Sequence, residues 1–160
     1  MKIKKTLGTI KNIIGLSPTA KEILIDLDDS LNFIAGSFVN IFMDIDGEKV
    51  RRAYSISSDD TEQNTITVSV RLSPNGKMSP LFWNNNMIGK KIELMGPLGL
   101  NTAKKMNHKK IYLFAFGIGA GVVKSLASHF SESKLSNEVN IITGSRSEDE
   151  IIYRKYFDDL

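Results

Sequence analysis

The sequence predicts a mainly β fold, an antiparallel barrel followed by a partial α/β unit. Three observations carry this expectation. Short runs of alternating apolar and polar residues recur through residues 1–104, separated by polar turns. The pattern changes near residue 107 to a continuous apolar run, a glycine-rich turn and a helical period. A second apolar run and a second helical pattern follow, in the βαβ manner.

The elements come in this order. Glu22 to Leu27 alternates, with Ile23, Ile25 and Leu27 on one face and Glu22, Leu24 and Asp26 on the other; Asp28, Asp29 and Ser30 break it. Phe38 to Ile45 is a second strand, with Val39, Ile41, Met43 and Ile45 on one face, and Asp46-Gly47-Glu48 marks a tight turn. Thr65 to Leu72 is strongly β-prone, with Ile66, Val68, Val70 and Leu72 alternating. Ser79 to Asn84 predicts a short helix that starts at a serine cap with Pro80 in its first turn. Ile92 to Met95 is a short strand ended by Gly96-Pro97. Beyond it, Lys110 to Phe116 is a continuous apolar strand and Gly117 to Gly121 a glycine-rich turn. Val122 to Phe130 is then a helix with Val122, Val123, Leu126, Ala127 and Phe130 near one face. Glu138 to Thr143 is a further strand ended by Gly144, and Asp149 to Leu160 has the pattern of an opening helix. The division is residues 1–104 for the barrel and 105–160 for an incomplete α/β domain. A lone βαβ unit and one more helix cannot cover a parallel sheet on both faces, so a chain cut short is expected, with an uncovered face that favours self-association or a partner.

Composition excludes several function classes. An apolar fraction of 41% and a charged fraction of 24% describe a globular chain rather than a disordered one. The longest strongly apolar run, Ile111 to Val123, holds three glycines and is too short to span a bilayer. The first residues lack the apolar block and cleavage site of a signal peptide, and a cytoplasmic location is expected. The absence of cysteine excludes disulfides, thiolate-held iron–sulfur clusters and cysteine chemistry within this chain. The two histidines, His108 and His129, stand far apart, so no metal site is expected and both are read as surface residues. A net charge of +3 suits an anionic cofactor or an acidic partner, and is not the footprint of a nucleic-acid binder. The basic run Lys104 to Lys110 reads either as a solvated linker or as a seat for a phosphate or partner.

Three short segments carry chemistry, each beside a plainer reading. In Arg52-Ala53-Tyr54-Ser55, arginine can fork onto a phosphate, tyrosine offers a face to a flat ring, and serine can hydrogen-bond at a ring edge. The plainer reading is a strand with one surface arginine and a buried tyrosine. Gly76-Lys77-Met78-Ser79 offers backbone N–H groups at a helix start to an anion, or is simply an Asn75-Gly76 turn and a cap. Gly117-Ile118-Gly119-Ala120-Gly121 joins a strand to a helix where α/β units bind ligands, or packs tightly for its own sake. It falls short of the dinucleotide fingerprint, because its third glycine comes two residues after Gly119 rather than three.

In order and spacing these pieces resemble the ferredoxin–NADP reductase superfamily of flavoenzymes. Arg52-Ala53-Tyr54-Ser55 is similar to that family's Arg-x-Tyr-Ser/Thr flavin motif, and Phe33 to Val39 to the stretch leading into it. Val68 to Arg71 with Gly76 to Leu81 resembles the strand and phosphate seat, and Gly96-Pro97-Leu98-Gly99 the turn that ends the barrel. Gly144 to Ser147 with Ile151-Ile152-Tyr153 resembles the second nucleotide-domain strand and the helix after it. The resemblance implies a six-stranded antiparallel Greek-key barrel with a Rossmann-like NAD(P) domain behind it, and a flavin between them. It further implies Tyr54 on the isoalloxazine and Ser55 near its N5. Arg52 and the Met78–Ser79 backbone would hold the phosphates, with Ala53, Val70, Arg71, Gly76 and Lys77 also among the cofactor-binding residues. Gly117, Ile118, Gly119 and Ala120 would lie on the nicotinamide side, and Ser145 and Arg146 near the adenosine ribose. Where the family usually reads Gly-Thr-Gly-Ile-Ala-Pro, this chain has Gly117-Ile118-Gly119-Ala120-Gly121-Val122. The threonine and proline are missing, so flavin binding is better supported than rapid use of NAD(P)H.

The implied function is an oxidoreductase that passes reducing equivalents between NAD(P)H and an electron acceptor, a protein or a small molecule, through bound FAD; FMN is the alternative flavin. Hydride transfer needs no protein acid or base, so no catalytic side chain and no metal ligand is assigned. The rival readings are a flavin-binding electron-transfer or regulatory subunit completed by a partner, and a β-barrel without a ligand.

Overall fold

The computed structural model describes residues 2–133 and 137–160. Six strands form one antiparallel sheet: β1 (Lys4–Ser17), β2 (Ala20–Leu27), β3 (Phe38–Ile45), β4 (Glu48–Ser55), β5 (Thr65–Arg71) and β6 (Lys91–Leu98). Their order is β4-β3-β6-β1-β2-β5. An isolated bridge between Ile56 and Val68 joins the two outer strands at one end, so the sheet curls into a half-barrel.

The alternating strands close on one apolar interior. Ile23 and Ile25 from β2, Ile66, Val68 and Val70 from β5, Val39 and Ile41 from β3 and Leu94 from β6 are all fully buried there. All of these but Leu94 are β-branched, a shape that suits a pleated surface packed on one face. The β3–β4 hairpin turns on Asp46 and Gly47, at φ 52° and 80°, with Ile45 opposite Glu48. Positive φ at both central residues matches the turn to the right-handed strand twist, which is why Asp-Gly occupies it.

Strand β1 is invisible to the periodicity reading. Its inward positions near the start are Thr6, Gly8 and Ile10, only one of them a large apolar residue, and register shifts between Ile10 and Asn12 and between Gly15 and Ser17 reset the alternation. Gly8 is needed for close approach, since a Cβ there would stand 2.7 Å from Ile25 Cγ2 and 2.9 Å from Leu94 Cδ1. Strand β6 corrects a second expectation. It runs through Gly96-Pro97 rather than stopping at Met95, and Leu98 pairs with Phe38.

The rest of the chain is β7 (Lys110–Phe116), a 3-10 turn over Gly117–Gly119, α1 (Ala120–Glu132), β8 (Glu138–Gly144), a 3-10 turn over Glu148–Glu150, and α2 (Arg154–Asp158). β7 and β8 pair in parallel, from Lys110 opposite Glu138 to Phe116 opposite Gly144. Ile111, Leu113 and Ala115 pack under Val123, Leu126 and Phe130 of α1. Rather than being buried on both faces, β7 alternates, and Tyr112, Phe114 and Phe116 are exposed. α1 begins at Ala120, two residues before the expected start. The helix expected from Asp149 to Leu160 is broken, because Ile151 is extended and Tyr153 is left-handed at φ 59°. Ile152 is buried there and the Tyr153 hydroxyl hydrogen-bonds to Glu22, which holds the chain off the helical path. Among the described residues no helix is long and apolar enough to cross a membrane.

Gly8→Ala should lower stability by about 1–3 kcal/mol through overpacking, whereas Gly15→Ala, whose Cβ would meet nothing within 4 Å, should leave it nearly unchanged. Urea unfolding of the two variants checks this contrast.

Candidate functional site

β4 and β5 stand at the two ends of the sheet order, and beyond the Ile56–Val68 bridge no ladder joins them. Their backbone edges therefore line a slot and keep unpaired N–H and C=O groups for another partner. Arg52 pairs across the ladder with Ile41 and Tyr54 with Val39, so both side chains lie on the sheet face that carries the core. Ala53 and Ser55 alternate to the other face.

Arg52 is exposed, and its Nη1 donates to the Arg51 carbonyl at 2.7 Å. Tyr54 is half-buried and meets Phe82 edge-on, with ring centroids 6.2 Å apart. Burial pushes its phenol up to about 12, with Arg52 pulling the other way. Across the slot, Val70 is buried in the core, so only its backbone can serve a ligand. Arg71 is half-buried and reaches towards the glycine turn, where a Cβ on Gly117 would stand 2.9 Å from its Nη2.

The loop after β5 closes on itself. Gly76 N donates to the Ser73 carbonyl at 2.9 Å, and Ser79 Oγ accepts from Ser73 N at 2.9 Å. Ser79 is therefore not a helix cap as expected. Met78 holds the cap position, the segment Ser79–Trp83 is a 3-10 turn, and the serine hydroxyl is spent on the loop. Met78 is buried, leaving its backbone. Lys77 pairs with Glu48 at the start of β4, and this lysine, with Arg52 adding to it, holds the Glu48 carboxyl below its usual range. The positive charge near the slot thus comes from Arg52, Lys77 and Arg71.

Four of the remaining expected residues gather in a cleft of about 670 Å³ at the C-terminal ends of β7 and β8, and Gly119 and Ala120 are not among them. Gly117, Ile118, Ser145 and Arg146 line it, together with Arg71 from the half-barrel. α/β units bind ligands at this end of the strands. Gly117 has φ 52°, and a Cβ on Gly119 would meet nothing within 4 Å, so that glycine leaves open space. Ala120 is buried at the start of α1 and does not line this cleft. Ser145 Oγ donates to the Ser147 carbonyl.

Thr19 and Glu150 also line the cleft, and sequence reasoning missed both. Glu150 Oε2 accepts from Ser17 Oγ at 2.9 Å and from Thr19 Oγ1 at 2.7 Å, tying the β1–β2 turn to the segment after β8. The only signal in sequence was an acidic run ahead of two isoleucines. His129 is likewise not a surface residue as expected: its Nδ1 lies 2.9 Å from both Asp60 carboxylate oxygens, and its side chain is 28% exposed. A separate groove of about 510 Å³ lies against Phe42, Met87 and Lys91 and holds none of the expected residues. The described residues hold no cluster of metal-ligating side chains.

A family model described as an oxidoreductase FAD-binding domain matches residues 9–102. The chain is 28% identical over 128 residues to the glycine betaine monooxygenase reductase subunit of Pseudomonas aeruginosa, across 80% of this chain and 35% of that protein. It is 28% identical over 154 residues to the phenol hydroxylase P5 protein of Acinetobacter pittii, across 96% of this chain and 43% of that one. It therefore spans less than half the length of these relatives. The crystal structure of the Amycolatopsis cytochrome P450 reductase GcoB superposes with a TM-score of 0.85 at 22% identity, over 98% of this chain and 48% of that one, a likeness of fold.

A phenol pushed up to about 12 by burial is favoured neutral in the folded state. Its contribution is full below the ordinary tyrosine value near 10 and is lost as pH rises through 12. Stability should therefore fall by about 2 kcal/mol over that window on account of Tyr54. Tyr54→Phe should remove this part of the loss, read from urea midpoints across alkaline pH alongside phenolate absorbance.

Proposed function

Because the chain belongs to the oxidoreductase FAD-binding domain family, within the ferredoxin–NADP reductase superfamily that its motifs resemble, we propose that it binds FAD in the slot between β4 and β5. In this reading it passes reducing equivalents between NAD(P)H and an electron acceptor. The observation that carries the reading is the unjoined pair of strand edges, with Arg52 and Tyr54 on one side and Arg71 and the Gly76 to Ser79 loop on the other. The six-stranded sheet would then be a Greek-key flavin barrel over residues 1–104. Residues 105–160 would contribute to a Rossmann-like nucleotide unit.

The residues present fit the cofactor. Arg52 keeps most of its guanidinium fork for a phosphate. Tyr54 is braced by Phe82 so that a flat ring can lie against it. Ser55 supplies a hydroxyl at the strand end, and the loop from Gly76 to Ser79 supplies backbone N–H groups and the Lys77 charge. Bound flavin supplies the two-electron redox chemistry that no side chain here can perform. The protein's part is to orient and to exclude water. Gly117, Ile118 and Gly119 would seat the nicotinamide end of NAD(P)H, while Ser145 and Arg146 would meet its adenosine ribose. Arg71 lies between the two seats.

One observation favours the second reading, a flavin-binding electron-transfer or regulatory subunit completed by a partner. Tyr112, Phe114 and Phe116 leave an aromatic face of the β7–β8 sheet uncovered. The turn without the usual threonine and proline agrees with it. An oxygenase component or another acceptor is the partner expected from the relatives.

Reconstitution with FAD should give a flavin absorbance spectrum that stays with the protein through gel filtration. Failure of both FAD and FMN to bind would contradict the reading. Arg52→Ala should weaken flavin binding by about 1.5–3 kcal/mol with an unchanged circular dichroism spectrum; equal affinity would remove Arg52 from the phosphate seat. Anaerobic stopped-flow with NADH or NADPH then separates the two functions. Fast saturable bleaching marks a reductase, and slow or absent bleaching marks a subunit that needs a partner.

A further inference from the structure

A buried polar cluster that neither the slot nor the cleft uses joins the half-barrel to the α/β segment. Glu22 on β2 accepts at one oxygen from the Tyr153 hydroxyl at 2.8 Å, from Ser57 Oγ at 3.0 Å and from Lys124 Nζ of α1 at 3.4 Å. The Tyr153 hydroxyl lies 2.7 Å from Ser69 Oγ on β5. Its single proton goes to the carboxylate, so Ser69 donates to it. Lys124 also donates to the Ser57 carbonyl at 3.3 Å, and its ammonium sits 5.0 Å from the Tyr153 ring centroid. The Glu22 and Lys124 side chains are only 12% and 21% exposed, so this pair is shielded where most ion pairs of the molecule are not.

Three features set the cluster apart from ordinary packing. Tyr153 holds a left-handed backbone at φ 59°, which residues other than glycine keep only where their surroundings over-determine it. Gly121, in the first turn of α1, touches Ser69 so closely that a Cβ would stand 2.2 Å from its Oγ. Ser69 is also two residues before Arg71, whose guanidinium meets the Gly117 turn. One short stretch of β5 is thus held by Tyr153, packed against the start of α1, and exposed to the cleft.

We propose that Glu22, Lys124 and Tyr153 are positioning residues that lock α1 against β5. They thereby fix the separation between the slot at Arg52–Ser55 and the cleft at Gly117. The claim rests on the reading of those two places as flavin and nicotinamide seats. None of the three lines the cleft or lies on β4. They act through Ser69 and Gly121, and the cost of burying the Glu22 charge is met by three donors.

The chain has no cysteine, so two introduced cysteines accept spin labels uniquely. Asn12→Cys on β1 and Glu132→Cys on α1 are exposed, line neither the slot nor the cleft, and place one label on each unit. Pulsed electron spin resonance on the parent should give one narrow distance distribution. Tyr153→Phe, which keeps the ring and loses the hydroxyl, should broaden it. Glu22→Ala should broaden it further, and Glu22→Gln, which keeps an acceptor oxygen, should restore most of the parent width. FAD affinity should stay within about twofold, because no slot residue has changed, and dithionite should reduce the flavin at the parent rate. Reduction by NADH or NADPH should fall about tenfold to a hundredfold, as expected for a misplacement near 1 Å. Should Glu22→Ala fail to fold, Tyr153→Phe and Ser69→Ala carry the test. Unchanged distances in the folded variants would overturn the proposal whatever the flavin does. Distances that shift as expected in a protein that takes no flavin would instead support the lock and sink the flavin reading.

Discussion

The arrangement depends on a sheet that does not finish closing. Six antiparallel strands with a shared apolar interior could hide every backbone edge by joining β4 to β5 along their length. Here the joining stops at the Ile56–Val68 bridge. Beyond it two strand edges stay open, and open edges demand partners. Arg52 and Tyr54 sit on one of these edges because the Asp46-Gly47 turn fixes the β3–β4 register, and a slip of one residue would send both to the outer face. The position of Arg52 and Tyr54 therefore follows from a two-residue turn.

Much of this was legible in sequence. The strands β2, β3 and β5 were found because Ile, Val and Leu alternate on them, and the Asp-Gly turn because only certain residues take positive φ. Strand β1 was not found, since Thr6 and Gly8 occupy inward positions that a periodicity argument expects to be large and apolar. The structure places Gly117, Ile118, Ser145 and Arg146 in one cleft, whereas Ala120 turns into the core. The ties through Glu22, Glu150 and Tyr153 were out of reach. The Glu22–Tyr153 and Glu150–Ser17 bonds each join residues more than a hundred positions apart, and a glutamate or tyrosine destined for such a bond looks like any surface residue until the fold brings its partners. The same blindness hid the His129–Asp60 contact.

The charge distribution serves the same geometry. Several exposed ion pairs, such as Lys91 with Asp28 and Lys110 with Glu138, are surface contacts of small energetic consequence. Glu48 and Lys77 differ in placement rather than strength, since they tie the start of β4 to the loop after β5 across the open slot. Arg52 and Arg71 then present cationic forks in the slot and in the cleft, suited to the phosphates of a dinucleotide. The half-barrel supplies one wall of the cleft and the β7–β8 unit the other.

The central claim is that the open edges of β4 and β5 are the seat of the flavin. Amide hydrogen exchange with and without FAD tests it most directly, because the edges' own N–H groups are the reporters. Added FAD should slow exchange in peptides spanning Arg51 to Ser55 and Ser69 to Ser79, while β1 and β6 stay unchanged. Protection confined to other strands, or none at saturating FAD, would contradict the account.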